Sequence, residues 1–157
     1  MLMQPTQAHE GEPVGGGQSP ASGALVNVPC VNGLAGPYPC RNANLLAFLP
    51  LSAIGGGQSA SDLWGWTDPE TGKEYALVGR STGTAFVDIS EPTQPVYLGD
   101  LPTETVESSW REIKVYGSYA FIVSEAPFHG MQVFDLTQLR TVTDPPETTT
   151  PLKGRPV

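Results

Sequence analysis

The stretch that decides the fold is FVDISEPTQPV, residues 86–96. Its first half is rich in apolar and β-branched residues and predicts a strand over residues 84–90. Its second half carries two prolines and predicts the turn that closes the strand. A shorter version, VFDLT, recurs at residues 133–137, where Asp135 lies 47 residues after Asp88. The recurrence indicates a structural repeat.

The neighbouring strands recur in the same order. The first set is predicted at residues 62–66, 75–80, 84–90 and 96–101, and the second at residues 110–116, 119–123 and 133–137. Tyr119 begins an echo of the strand at Tyr75, 44 residues earlier, so the extra three residues fall in the hairpin 125–130. A period of about 45 residues with four strands per unit is typical of β-propeller blades. We therefore predict an all-β fold with two blades in residues 61–145, the second incomplete; a β-sandwich is the alternative.

The flanking segments have a different composition. Residues 1–28 are rich in Gly, Pro, Ser and Gln and are predicted to be disordered, because they offer little apolar surface to bury. Residues 29–60 are predicted to form a disulfide loop and a linker, with a short strand in the apolar run 44–51. Residues 146–157 do not follow a strand pattern and are predicted to be an irregular tail.

The whole-chain composition excludes several classes of protein. With 18 Gly and 16 Pro in 157 residues, long helices are disfavoured. A net charge of −8 argues against a nucleic-acid partner. Solubility is the simplest interpretation of this charge, and an acidic patch with a cationic partner is the alternative. The sequence has no apolar stretch long enough to span a membrane.

The two cysteines, Cys30 and Cys40, enclose a loop rich in Gly and Pro. They are not at zinc-finger spacing from the two histidines, so a disulfide is predicted, with two unpaired buried thiols as the alternative. A disulfide indicates an oxidising compartment. Residues 1–10 lack the basic start and apolar run of a complete signal peptide, although residues 7–10 fit the tail of one.

Several separate pieces of the sequence resemble one family. Residues 86–96 resemble the LVIVD repeat of bacterial surface propellers. The wider chain, over residues 29–145, is similar to the choice-of-anchor B family in the pieces CVNG (30–33), GPYPC (36–40), WGWTDP (64–69), GRS (79–81), WR (110–111) and HGMQVFDL (129–136). The resemblance implies an exported protein held at the cell surface, of which this chain is an N-terminal fragment, and it implies no known reaction.

In a propeller, the loops that join the second strand to the third and one blade to the next open on the same face, and ligands usually bind there. On that face the sequence places Arg80, Ser81, Trp110, Arg111, Glu125 and His129, with Ser108, Ser109 and Phe128 beside them. Simpler roles remain open for each of them. The tryptophans are typical packing residues, the arginines have Asp62, Glu112 or Glu125 as potential ion-pair partners, and Asp88 and Asp135 are expected to stabilise turns.

The residues favour a binding protein over an enzyme. We predict no metal, since no second histidine lies near His129 and Glu125. We also predict no cofactor and no catalytic residue, since the sequence has neither a Gly-rich phosphate loop nor a Gly-x-Ser-x-Gly motif. The predicted function is that of a non-catalytic propeller fragment that binds a protein, a glycan or a small ligand. Its predicted location is extracellular or at the cell surface, with the periplasm as the alternative. One alternative is the N-terminal part of a hydrolase-like propeller enzyme whose catalytic residues lie in missing blades, and another is a truncated product with no function of its own. Apolar residues in 119–123 and 131–136 are expected to form an exposed patch. Self-association through an exposed blade edge is therefore also a possible interaction of this chain.

Overall fold

The computed structural model describes residues 23–150 and consists mainly of β-strands in several sheets. The all-β prediction is confirmed. The strands are β1 (Leu25–Val28), β2 (Leu34–Ala35), β3 (Tyr38–Pro39), β4 (Leu45–Phe48), β5 (Ala60–Thr67), β6 (Glu74–Arg80), β7 (Gly83–Asp88), β8 (Val96–Pro102), β9 (Arg111–Tyr116), β10 (Tyr119–Ser124), β11 (Met131–Asp135) and β12 (Glu147–Thr148). Two short 3-10 helices span Leu51–Ile54 and Leu136–Thr141.

The first large sheet contains β5, β6, β7 and β8 as antiparallel neighbours. These are the four strands predicted for residues 62–101. The Asp88 carboxylate accepts a hydrogen bond from the Ser90 backbone N–H at 3.0 Å, and Asp135 accepts one from Thr137 at the same distance. The two aspartates at equivalent repeat positions therefore stabilise turns, as the sequence predicts.

The second large sheet contains three antiparallel strands, in the order β11-β10-β9. A fourth strand does not follow within the described residues, because the chain after Asp135 forms the second 3-10 helix. Leu136 and Leu139 of that helix are buried in the core. Within residues 23–150 the second sheet therefore has three strands, and the division of the chain into two blades stays a prediction.

The main hydrophobic core lies between the two large sheets. It contains Trp66, Tyr75, Leu77, Phe86, Leu98 and Leu101 from the first sheet and Ile113, Ala120, Ile122, Phe134, Leu136 and Leu139 from the second sheet and its helix. The rings of Phe86 and Phe134 stack with centroids 4.6 Å apart. The indole N–H of Trp66 donates to the Gly117 carbonyl at 3.1 Å, which ties the sheets together. Each large side chain buried here contributes about 1.5–3 kcal/mol to stability.

The other face of the first sheet is covered by residues that precede it in the chain. Ile54 of the first 3-10 helix packs against Ala85 and Val87, and Leu49 and Leu51 lie beside them. Part of the predicted linker is therefore a packed layer. The helix ends at Gly55, whose φ of 90° is easily reached only by glycine.

The other face of the second sheet has no such cover among the described residues. We call it the open face; its apolar members are Tyr116, Tyr119, Phe121, Val123, Met131 and Val133. Tyr116 is 82% exposed and Tyr119 is 43% exposed. Met131 is exposed as well, whereas Phe121, Val123 and Val133 are half-buried. Ile122 and Phe134, which the sequence also assigns to an exposed patch, point into the core and are buried, so the patch is smaller than expected.

The N-terminal segment departs from the prediction at one end. Residues 25–28, which were predicted to be disordered with the rest of 1–28, form β1 and pair with β4. Leu25 and Val28 are half-buried there, so the segment does have apolar side chains to pack. Residues 1–22 lie outside the described part of the chain.

The predicted disulfide between Cys30 and Cys40 is present, with Cα atoms 5.9 Å apart. The Asn44 side chain accepts a hydrogen bond from the Cys30 backbone N–H at 3.0 Å, so the loop is fixed by a polar contact as well.

The segment after residue 145 also departs from the prediction. Glu147 and Thr148 form β12, which pairs in parallel with Gly99 and Asp100 at the edge of β8. The irregular-tail prediction is wrong for these two residues because β8 has free backbone groups at its edge and Gly99 leaves room for a close backbone. Residues 151–157 lie outside the described part of the chain.

Candidate functional site

One end of the two large sheets collects the loops that the sequence singled out. We call it the loop end; it consists of the β6–β7 turn, the β8–β9 connection and the β10–β11 loop. Antiparallel pairing places these loops together, since Arg80 pairs with Gly83 and Ser124 pairs with Arg111. The Thr103 N–H donates to the Thr82 carbonyl at 3.0 Å and thereby joins the first two.

Arg80 is fully buried at the end of β6. Its guanidinium donates to the Asp100 carboxylate at 2.7 Å and to the Gly56 carbonyl at 3.0 Å. Its Nε atom has no hydrogen-bond partner among residues 23–150. The sequence pattern does not indicate Asp100 as the partner of Arg80, because Asp100 lies on a different strand, 20 residues further along the chain.

Arg111 is fully buried at the start of β9 and uses all three of its nitrogen atoms. Nε donates to the Arg80 carbonyl at 3.1 Å, Nη2 donates to the Thr103 hydroxyl at 2.8 Å, and Nη1 lies 2.9 Å from Nε2 of His129. Within residues 23–150 it forms no ion pair. Burial, and then the positive charge of Arg80, lowers the pKa of Arg111 below its ordinary value.

The ion pairs that the sequence suggested for these arginines are therefore wrong. Asp62 accepts from the Ile113 backbone N–H at 2.7 Å, and Glu112 pairs with Lys114 at 2.9 Å. Neither carboxylate reaches an arginine at the loop end. Asp62 lies on β5 and bonds to the backbone of β9, and Glu112 follows Arg111 on β9, so the side chains of Glu112 and Arg111 point to opposite faces of the sheet.

His129 belongs to the β10–β11 loop, its side chain is buried, and both of its ring nitrogens form hydrogen bonds. Arginine has only donors, so Nε2 accepts from Arg111, and the proton is assigned to Nδ1, which donates to the Gly130 carbonyl at 3.1 Å. A ring with both nitrogens engaged has no free lone pair for a metal or for a substrate proton. In the described part of the chain, no group of three or more His, Cys, Asp or Glu side chains is arranged to hold a metal ion.

The remaining predicted site residues fall into two groups. Ser81 is buried, and its hydroxyl accepts from the Gln58 N–H at 2.9 Å. Trp110 and Glu125 are exposed, and Glu125 contacts the Ser108 hydroxyl at 3.5 Å. Four of the six residues, Arg80, Ser81, Arg111 and His129, are thus buried, and we call them the buried layer; Trp110 and Glu125 lie on the surface.

Phe128 is the most exposed apolar side chain at the loop end, at 97%. Its φ of 61° lies in the left-handed region, which is rare for a residue other than glycine. The sequence placed Phe128 on this face only as a neighbour of His129. Nothing in the sequence signals its backbone conformation, which depends on the bonds around the loop.

A second polar cluster lies at the opposite end of the sheets. Asp68 is inaccessible to solvent and accepts two hydrogen bonds from Arg140, at 2.7 Å from Nε and 2.5 Å from Nη2. The hydrogen bonds from Arg140 hold the pKa of Asp68 well below its ordinary value. The cleft beside it, lined by Lys73, Tyr75 and Leu139, holds only about 100 Å³ and is too small for most ligands. This cluster is a structural link, and the loop end is the better candidate site.

Comparison with known proteins adds no relative. The chain matches no protein-family model, no curated protein and no solved structure. None of the helices in residues 23–150 is long and apolar enough to cross a membrane.

Proposed function

We propose that this chain is part of an exported, surface-attached propeller of LVIVD-type repeats, similar to the choice-of-anchor B family, and that it binds its ligand at the loop end without catalysis. The two large sheets support the repeat architecture, since their first strands, β5 and β9, lie against each other. The Cys30–Cys40 disulfide supports export to an oxidising compartment.

The division of the loop end into two layers carries the functional proposal. The groups capable of chemistry are the side chains of Arg80, Arg111 and His129. They are buried, and they form hydrogen bonds to one another, to Asp100 and Thr103, or to the backbone. The side chains offered to solvent include Trp110 and Phe128. Aromatic side chains on a rigid support are typical of recognition surfaces. Catalysis would require an accessible acid, base or nucleophile within reach of a substrate.

A ligand screen on the full chain tests this proposal. Neutral oligosaccharides, peptides and small metabolites are titrated into ¹⁵N-labelled protein, and we expect saturable shifts confined to residues 103–110 and 124–130. The double variant Trp110→Ala/Phe128→Ala should abolish them. Tyr116→Ala, which removes an exposed aromatic side chain at the opposite end of β9, should leave them unchanged.

The same preparation tests the enzymatic alternative. Fluorogenic esters, phosphate esters and glycosides should show no turnover above that of a heat-denatured sample. Turnover that His129→Ala abolishes would replace the binding proposal with a catalytic one.

A further inference from the structure

The β10–β11 loop is the main difference between the two repeats at the loop end. In the first sheet two residues, Ser81 and Thr82, connect β6 to β7, whereas six residues, 125–130, connect β10 to β11. The longer loop is the one that carries Phe128 above the surface.

Several hydrogen bonds fix this loop. The Ala126 N–H donates to the Ser124 hydroxyl at 3.2 Å, and the His129 N–H donates to the Ala126 carbonyl at 3.2 Å. The bond between Arg111 and His129 then holds the far side of the loop to the buried layer. Phe128 is thus presented by a fixed backbone, which lowers the entropic cost of using it as a binding residue.

Other exposed apolar side chains lie on the same end. Trp110 is 46% exposed and Val106 is also exposed, both in the β8–β9 connection. The Ser124 hydroxyl donates to the Trp110 carbonyl at 3.1 Å, so the connection is bonded to the strand end that begins the Phe128 loop. The apolar groups thus lie on two loops that are bonded to each other.

The charges exposed at this end are negative. Glu104, Glu107 and Glu125 are exposed, whereas the two arginines, Arg80 and Arg111, are fully buried. A ligand that approaches the loop end therefore meets carboxylates and aromatic rings rather than guanidinium groups. This surface is complementary to a partner that is both basic and apolar.

We propose that the loop end binds a flexible segment of a partner protein in which apolar side chains alternate with lysine or arginine. The apolar side chains pack on Phe128, Trp110 and Val106, while the basic side chains meet Glu104, Glu107 and Glu125 or stack on the aromatic rings. This proposal rests on the proposed function and narrows its ligand to one class.

Three synthetic peptides test the partner class. They are Ac-Gly-Lys-Phe-Lys-Leu-Lys-Gly-NH2, its analogue with glutamate in place of lysine, and its analogue with serine in place of lysine. Titrated into the ¹⁵N-labelled full chain, the lysine peptide should bind about ten-fold more tightly than either analogue. Raising the salt concentration should weaken its binding, since exposed charges are screened.

Matched variants locate the binding. Phe128→Ala should weaken the binding of the lysine peptide about ten-fold. Glu107→Gln/Glu125→Gln should reduce the difference in affinity between the lysine peptide and the serine peptide. Tyr116→Ala should change neither value, and the unperturbed parts of the spectrum report whether each variant is folded. Equal binding of the glutamate peptide, or an unchanged affinity in Phe128→Ala, would overturn the proposal.

The screen separates this proposal from the one on which it rests. If a neutral oligosaccharide shifts residues 124–130 and the lysine peptide does not, the partner class is wrong and binding at the loop end stands. If neither the peptides nor the wider panel shift this end, both proposals are wrong.

Discussion

The two large sheets place equivalent residues in the same register and give them different surroundings. Trp66 pairs with Tyr75 in the first sheet, and Tyr116 pairs with Tyr119 in the second. Leu77 pairs with Phe86 in the first sheet, as Phe121 pairs with Val133 in the second. The four residues of the first sheet are buried against the second sheet, whereas their counterparts form the open face. The neighbouring layer, rather than the strand sequence, therefore decides which positions are buried.

The sheets also differ in how the chain leaves their third strand. After β7 the chain continues through a turn into β8, and the sheet gains a fourth strand. After β11 it forms the second 3-10 helix, which returns toward the first sheet and brings Arg140 to Asp68. A residue from the end of the second repeat thus stabilises a turn of the first.

The sharpest test of the comparison uses two tyrosines at equivalent positions. Tyr75 is 2% exposed and Tyr119 is 43% exposed. Tyr75→Ala should lower the free energy of unfolding by about 3–5 kcal/mol, because it opens a cavity between the sheets. Tyr119→Ala should cost less than about 1 kcal/mol. Urea denaturation measures both, and equal losses would show that the open face is covered in solution.

The disulfide should stabilise only the N-terminal segment from β1 to β4. Reduction, or Cys30→Ala/Cys40→Ala, should destabilise the β1–β4 segment by about 2–3 kcal/mol in the chain-entropy model, since the loop is short. Hydrogen exchange should then become faster in β1 and β4 and remain slow in β9 and β10. Faster exchange in all of these strands would mean that the segments unfold together.

The Asp68–Arg140 pair makes the stability of the folded state depend on pH. The pKa of Asp68 is lower in the folded state than in the unfolded state, where it is about 4. The stabilisation that Asp68 contributes is therefore fully present above about pH 4 and is lost as the pH falls through the lower pKa of the folded state. The thermal midpoint should therefore fall by several degrees as the pH decreases below about 4. Asp68→Asn should lower the midpoint at neutral pH and flatten this acid dependence. If the thermal midpoint of Asp68→Asn falls with decreasing pH as steeply as that of the wild type, other carboxylates are responsible for the acid sensitivity.

The open face should make the chain self-associate weakly. Its apolar residues would be buried against a second copy, so sedimentation velocity should show a concentration-dependent increase in mass. Phe121→Lys should weaken this association about ten-fold, because it places a charge in the centre of the face. Val106→Lys, at an exposed site of the loop end, serves as the control. A wild-type chain that remains monomeric at every concentration contradicts the expectation.

The sequence predicts the local features of this fold well. Residues 62–101 and 110–137 reveal their strands because apolar runs alternate with turn residues, and Asp88 and Asp135 form bonds to residues two positions away. The Cys30–Cys40 pairing is local in the same sense.

The contacts at the candidate site are harder to predict because they join distant segments. Arg80 bonds to Asp100 and Gly56, and the approach of His129 to Arg111 depends on the exact pairing of three strands. The pattern shows which loops meet at one end. It does not show which of their side chains are buried, and this determines the character of the site.

The contact between β12 and Gly99 has a consequence for how the sequence can evolve. Gly99 has a φ of 135°, and a Cβ atom at this position would overlap the backbone of Glu147. Substitutions at codon 99 would therefore displace β12 and leave the edge of β8 without a partner. An unpaired strand edge of this kind can pair with another chain and promote aggregation. Purifying selection should act on this codon although it encodes no binding residue. Variation at Glu147 should be tolerated more readily, because β12 contributes backbone groups at this contact and the Glu147 side chain is exposed.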